Sequence, residues 1–134
     1  MTPPEFEISG KRCLITGAGR GIDRGIAEVF VEAGARIAAV ALTPPGVTGL
    51  ADWAAAGERK GRLPVTPITA DVTRPEEAER VVRETLTALG GIDVLINVVG
   101  DSIRADVLDM DPETWTGIMD VNLTLKRSDP LIGA

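Results

Sequence analysis

Four short apolar runs punctuate the chain, at residues 13–16, 36–41, 65–70 and 92–98, and the segments between them space their apolar residues as helices do. A continuous apolar run of this length, bounded by glycine, proline or polar residues, is what a strand covered on both faces requires. In the first intervening segment Ile22, Ile26, Val29 and Ala33 recur at i, i+4, i+7 and i+11, and Gly34 supplies a stop. This spacing predicts a helix of about three turns. Thr43-Pro44-Pro45-Gly46 reads as a loop, which places the second helix at residues 50–56. Thr73-Arg74-Pro75-Glu76 has the form of a capping box, and Ala78, Val81, Val82, Thr85, Leu86 and Leu89 form a third helical stripe ending at Gly90-Gly91. A fourth helix is expected where Asp111 caps and Pro112 takes the first helical position. Trp115, Ile118, Met119 and Asn122 then share one face, with Trp115 expected in the core; Lys126 and Arg127 suit the helix end, and Pro130 stops it.

Strands alternating with helices imply a parallel sheet with right-handed crossovers. The expected fold class is therefore α/β, a Rossmann-like doubly wound parallel sheet of about four strands in the order 3-2-1-4, forming one partial domain over residues 1–134. A chain of 134 residues can bury on the order of 70% of its unfolded surface, so a core needs no staple. Composition narrows the chemistry. A net charge of −6 with no dense run of Lys and Arg argues against nucleic acid as a partner. One cysteine, Cys13, and no histidine exclude disulfide frameworks, zinc sites and histidine acid/base catalysis, so no metal is expected. The N-terminus has neither the basic start nor the apolar run of a secretory signal, and no segment approaches a membrane span, so a cytoplasmic setting is expected.

The candidate chemistry begins at Thr16-Gly17-Ala18-Gly19-Arg20-Gly21-Ile22, between the first strand and the first helix. There the backbone can approach phosphates closely and the helix N-terminus presents free amides. No lysine followed by Ser or Thr completes a P-loop. The turn resembles the TGxxxGxG motif of the short-chain dehydrogenase/reductase family, and three further stretches extend the resemblance in order. Asp71-Val72 is similar to the family's adenine-contacting pair, Asn97-Val98-Val99-Gly100 to its NNAG sequence, and Trp115 with Val121-Asn122 to the helix carrying its active-site asparagine. The resemblance implies a cofactor, NAD or NADP, held by Gly17, Gly19, Arg20, Gly21, Ile22, Asp71, Val72, Asn97, Val98, Val99 and Gly100, with Asn122 in the catalytic site. Each match has an ordinary alternative. Asp71 can cap the turn into the third helix, Asn97 can tie adjacent strand ends together, and Arg20 can pair with Asp23.

Three departures qualify what the resemblance implies. Asp23 stands where the family has its third glycine, beside the pyrophosphate. At about 6 Å and an effective dielectric of about 20, one unit pair of like charges repels by roughly 3 kcal/mol, about a hundredfold in affinity. No acid lies between Glu32 and Asp52, and Ala41-Leu42-Thr43 occupies the place where one would hold the ribose hydroxyls of NAD. Arg20 matches a position where the family meets the 2′-phosphate of NADP, so NADP is preferred. Finally, the chain contains no tyrosine, whereas the family uses a tyrosine as acid/base, with a lysine and a serine. Two functions follow as expectations: an NAD(P)-dependent short-chain oxidoreductase whose remaining catalytic groups lie elsewhere, or a non-catalytic nucleotide-binding or interaction module. A decayed reading frame that still folds is a third. An open edge on strand four predicts self-association as a homo-oligomer, or pairing with a complementing chain.

Overall fold

The computed structural model describes residues 7–98, 106 and 108–119. Strands β1 (Arg12–Thr16), β2 (Arg36–Ala41), β3 (Val65–Thr69) and β4 (Val94–Asn97) form one parallel sheet in the order β3-β2-β1-β4. This is the order expected. Register runs Cys13 beside Ile37 on one side and Cys13 beside Val94 on the other, so β1 and β2 are central and β3 and β4 are edges. Their sequences show the difference: Ile37, Ala38, Ala39 and Val40 are all buried, whereas β3 buries only Val65 and Ile68 and carries an exposed Pro67. A proline lacks the amide a central ladder needs, so an edge is its place.

Helices α1 (Gly21–Glu32) and α2 (Pro44–Ala56) cover one face. There Ala27 and Val31 meet Val47, Leu50 and Ala54 over Cys13, Ile15, Ile37 and Ala39. Helix α3 (Pro75–Leu89) covers the other face, setting Val81 and Leu89 against Leu14, Ala38, Val40 and Ile68. A single 3-10 turn, Glu58–Lys60, follows α2, and α4 (Pro112–Met119) follows β4. No described helix is long and apolar enough to cross a membrane.

Several elements differ from expectation for identifiable reasons. Helix α2 begins at Pro44, six residues before the expected start, because Pro44 and Pro45 occupy its first two positions, where the missing amides would have had no partner. The buried face of α1 is Ala27 and Val31, flanked by half-buried Ile26 and Phe30, while Ile22 and Val29 are 78% and 64% exposed. The expected stripe was thus rotated towards solvent. Gly34 ends α1 as anticipated: its φ is 86°, its amide donates to the Val31 carbonyl, and the Ala35 amide donates to that of Phe30. These two bonds make a Schellman motif.

The capping box before α3 does not form. Arg74 is the N-cap and makes no side-chain cap bond, whereas the Thr73 amide and hydroxyl both donate to Asp71 Oδ1. At α4 the cap is as expected, with the Thr114 amide donating to Asp111 Oδ1 at 2.7 Å. Trp115, expected in the core, is 57% exposed, since α4 buries none of its described residues.

Candidate functional site

A cleft of about 1080 Å³ opens at the carboxyl ends of the strands, the side on which open parallel sheets place ligands. It brings together Gly17, Gly19, Arg20, Gly21 and Ile22 from the β1–α1 turn, Asp71 and Val72 from the end of β3, and Val98 from the end of β4. Asn97 is the last residue of β4 and its Oδ1 accepts a 3.0 Å bond from the Thr16 hydroxyl, so it ties the β1 and β4 ends together. Val99, Gly100 and Asn122, also expected at the site, lie outside the described residues.

Local chain geometry makes the turn. Gly17 and Gly21 have φ of 77° and 64°, a region that side-chain-bearing residues rarely enter. Between them Ala18 is fully buried, and its amide donates to the Val40 carbonyl at 2.9 Å, pinning the loop to the end of β2. Arg20 is an extended N-cap whose side chain makes no cap bond, and the first amide bonded within α1 is that of Arg24, to the Arg20 carbonyl. The amides of Gly21, Ile22 and Asp23 therefore precede the helix ladder with no capping oxygen over them. A Cβ added at Gly21 would meet nothing within 4 Å, so the space beside it is open. Positive-φ glycines, open first-turn amides and a helix dipole together form a cradle suited to an anionic group such as a diphosphate.

The charged groups lining the cleft are Arg20, Asp23 and Asp71. Arg20 is exposed and forms no ion pair among the described residues, so the pairing with Asp23 is not made. Its neighbour Arg24 is paired instead with Glu28 at 2.6 Å. Asp23 stands four residues before Ala27 and eight before Val31, on the inward face of α1. Burial raises its carboxyl above the usual range, since withdrawal from water penalises the charged form. Asp71 takes its ordinary role, holding the turn through Thr73. Among the described residues no group of three His, Cys, Asp or Glu could hold a metal.

Leu42 and Thr43, expected beside the ribose, line the cleft, and sequence reasoning missed the wall that Pro45 and Gly46 add to them. Thr43-Pro44-Pro45-Gly46 read only as a loop before the second helix. The signal was Pro44-Pro45, which marks a helix start as readily as a break.

An open parallel sheet with a glycine turn and an uncapped helix N-terminus at its carboxyl edge defines a Rossmann-like α/β domain. The profile of the short chain dehydrogenase family matches residues 11–125, and the chain belongs to that family. It is 34% identical over 119 residues to the 3-oxoacyl-(acyl-carrier-protein) reductase FabG of Vibrio cholerae serotype O1, covering 89% of this chain and 46% of the relative. Among solved structures, a short-chain type dehydrogenase/reductase from Mycobacterium marinum aligns with a TM-score of 0.86 at 33% identity, over 95% of this chain and 50% of that one. The NADH-dependent reductase A1-R′ complexed with NAD aligns with a TM-score of 0.81 at 27% identity, over 93% of this chain and 51% of that one. The chain thus spans about half the length of the relatives it matches.

Proposed function

We infer that this chain is the cofactor-binding half of an NAD(P)-dependent short-chain oxidoreductase, and that it holds a nicotinamide dinucleotide in the cleft above the strand ends. The observation that carries the reading is the uncapped N-terminus of α1 behind the glycine turn. Amides of Gly21, Ile22 and Asp23 orient the diphosphate, Gly17 and Gly19 let it approach the backbone, Asp71 and Val72 border the adenine, and Val98 lies on the way to the nicotinamide; Val99 and Gly100 are assigned to the cofactor by resemblance alone. The bound dinucleotide supplies the hydride. The solved complex of A1-R′ with NAD supports this reading. Preference for NADP is supported by the unpaired Arg20 and by a cleft wall from Val40 to Gly46 that contains no acid. Asn122 is assigned to the catalytic site by resemblance, and with no tyrosine in the sequence the tyrosine acid that the family uses is not supplied by these 134 residues.

A non-catalytic nucleotide-binding module is the second reading. Its interaction-module form is favoured by Asp23, whose carboxylate opposes a diphosphate. Self-association belongs to both readings, because β4 pairs only with β1 among the described residues and exposes one edge. NADPH and NADH titrated into labelled protein and followed by amide NMR shifts test the reading. The expected result is movement of Gly17 to Ile22, Asp71 and Val72, larger for NADPH. No movement at millimolar ligand, or movement confined to other surfaces, would overturn it.

A further inference from the structure

We propose that Gly46, in the first turn of α2, is a positioning residue of this cleft: its missing side chain lets α2 seat directly on the glycine turn and so fixes the wall at the adenosine end. The inference rests on the dinucleotide reading above. A Cβ at Gly46 would stand 2.7 Å from Gly19 Cα and 3.3 Å from its carbonyl oxygen, and both are backbone atoms with no flexible end to yield. The contact is reciprocal, for a Cβ at Gly19 would lie 3.2 Å from Gly46 Cα and 3.1 Å from Ala41 Cβ. Gly19, Ala41 and Gly46 all line the cleft. Loop, strand end and helix therefore meet there with only a single methyl between them.

The helix itself does not ask for this glycine. Glycine in a helix costs about 1 kcal/mol relative to alanine, and Gly49, three residues on, would place a Cβ no nearer than 3.5 Å to Arg24 Nη1, an ordinary contact. Gly49 tolerates a methyl where Gly46 does not. Pro44 and Pro45 hold the first turn at fixed φ, so a methyl at Gly46 displaces the turn as a unit rather than bending it. The displacement widens the cleft between Gly19 and Thr43 while leaving the α1 amides in place. Ala41 closes the same wall from β2, and no carboxylate stands between Val40 and Gly46.

The test measures affinities of NADPH and NADH for the wild-type chain, Gly46→Ala and Gly49→Ala, with melting temperatures as the folding control. Expected is an NADPH affinity lowered about tenfold in Gly46→Ala, an NADH affinity lowered about threefold or less, and Gly49→Ala within about twofold of wild type for both. The changed ratio is what loosened packing alone would not produce. Wild-type binding with Gly46→Ala unchanged, or with both cofactors weakened equally, overturns the inference alone. Absence of wild-type binding overturns the dinucleotide reading and the inference with it. Should Gly46→Ala fail to fold, amide exchange of the wild type decides: NADPH protecting residues 46–48 together with 17–22 supports the role, and protection of 17–22 alone overturns it.

Discussion

The centre of the sheet and its β4 edge are built from similar residues yet packed very differently. Cys13, Leu14, Ile15 and the four residues from Ile37 to Val40 are at most 1% exposed, enclosed between α1 and α2 on one face and α3 on the other. Val94, Leu95, Ile96 and Asn97 are all only half-buried, and α4 buries none of its described residues. Parallel strands require cover on both faces, and an open edge strand is prone to pair with another chain. The glycine turn therefore stands on a finished core, while the β4 side offers a surface that still needs a partner.

The largest effect separating the two regions is in stability. Ile37→Ala should cost about 2–5 kcal/mol by denaturant midpoint, and Ile96→Ala about 1 kcal/mol, because less apolar area is lost from a half-exposed site. Equal costs would break the contrast. Next comes association. At tens of micromolar the wild-type chain should sediment as more than a monomer and Ile96→Lys should shift it towards monomer; a strictly monomeric wild type contradicts an exposed edge of this kind.

A smaller, pH-dependent effect tests the clamp joining the two regions. Arg12 at the start of β1 binds Asp93 just before β4 through Nε at 2.9 Å and Nη2 at 2.8 Å, and this hydrogen bonding holds the Asp93 carboxyl well below the usual carboxylate range. A lowered folded-state pKa contributes stability that is present above the unfolded value, about 3.9, and is lost as pH falls through the folded value. Asp93→Asn should thus melt below wild type at pH 7, and the difference should shrink in strong acid. A difference independent of pH would assign the loss to shape rather than charge. The smallest effect concerns Cys13, fully buried in β1, whose thiol is pushed up to about 11 by burial and then by Asp93. It should resist alkylation at pH 8 in folded protein and react on unfolding.

What was legible in the sequence follows the same divide. Residues 36–41 were read to the residue because a fully covered strand leaves a continuous apolar run. The strand order followed from alternation together with right-handed crossovers and the doubly wound pattern. The second helix was misplaced because proline carries two meanings, breaker inside a helix and starter at its first turn. The stripe on α1 was rotated because Ile22 and Val29 are large and apolar, yet small Ala27 is what fits against the sheet. At the site, the glycine turn, Asp71-Val72 and the place of Leu42-Thr43 were legible as a motif, whereas the wall at Pro45 and Gly46 depends on a close approach that residue identity does not announce.

Asp23 gives the most direct test of the central claim, since it stands on the inward face of α1 at the lip of the proposed diphosphate cradle. Calorimetric titration of NADPH into the wild-type chain and Asp23→Gly should show the variant binding up to about a hundredfold more tightly, the factor expected for removing one like charge at close range. Equal affinities would remove Asp23 as an obstacle, and no binding by either protein would contradict a dinucleotide cleft at this position.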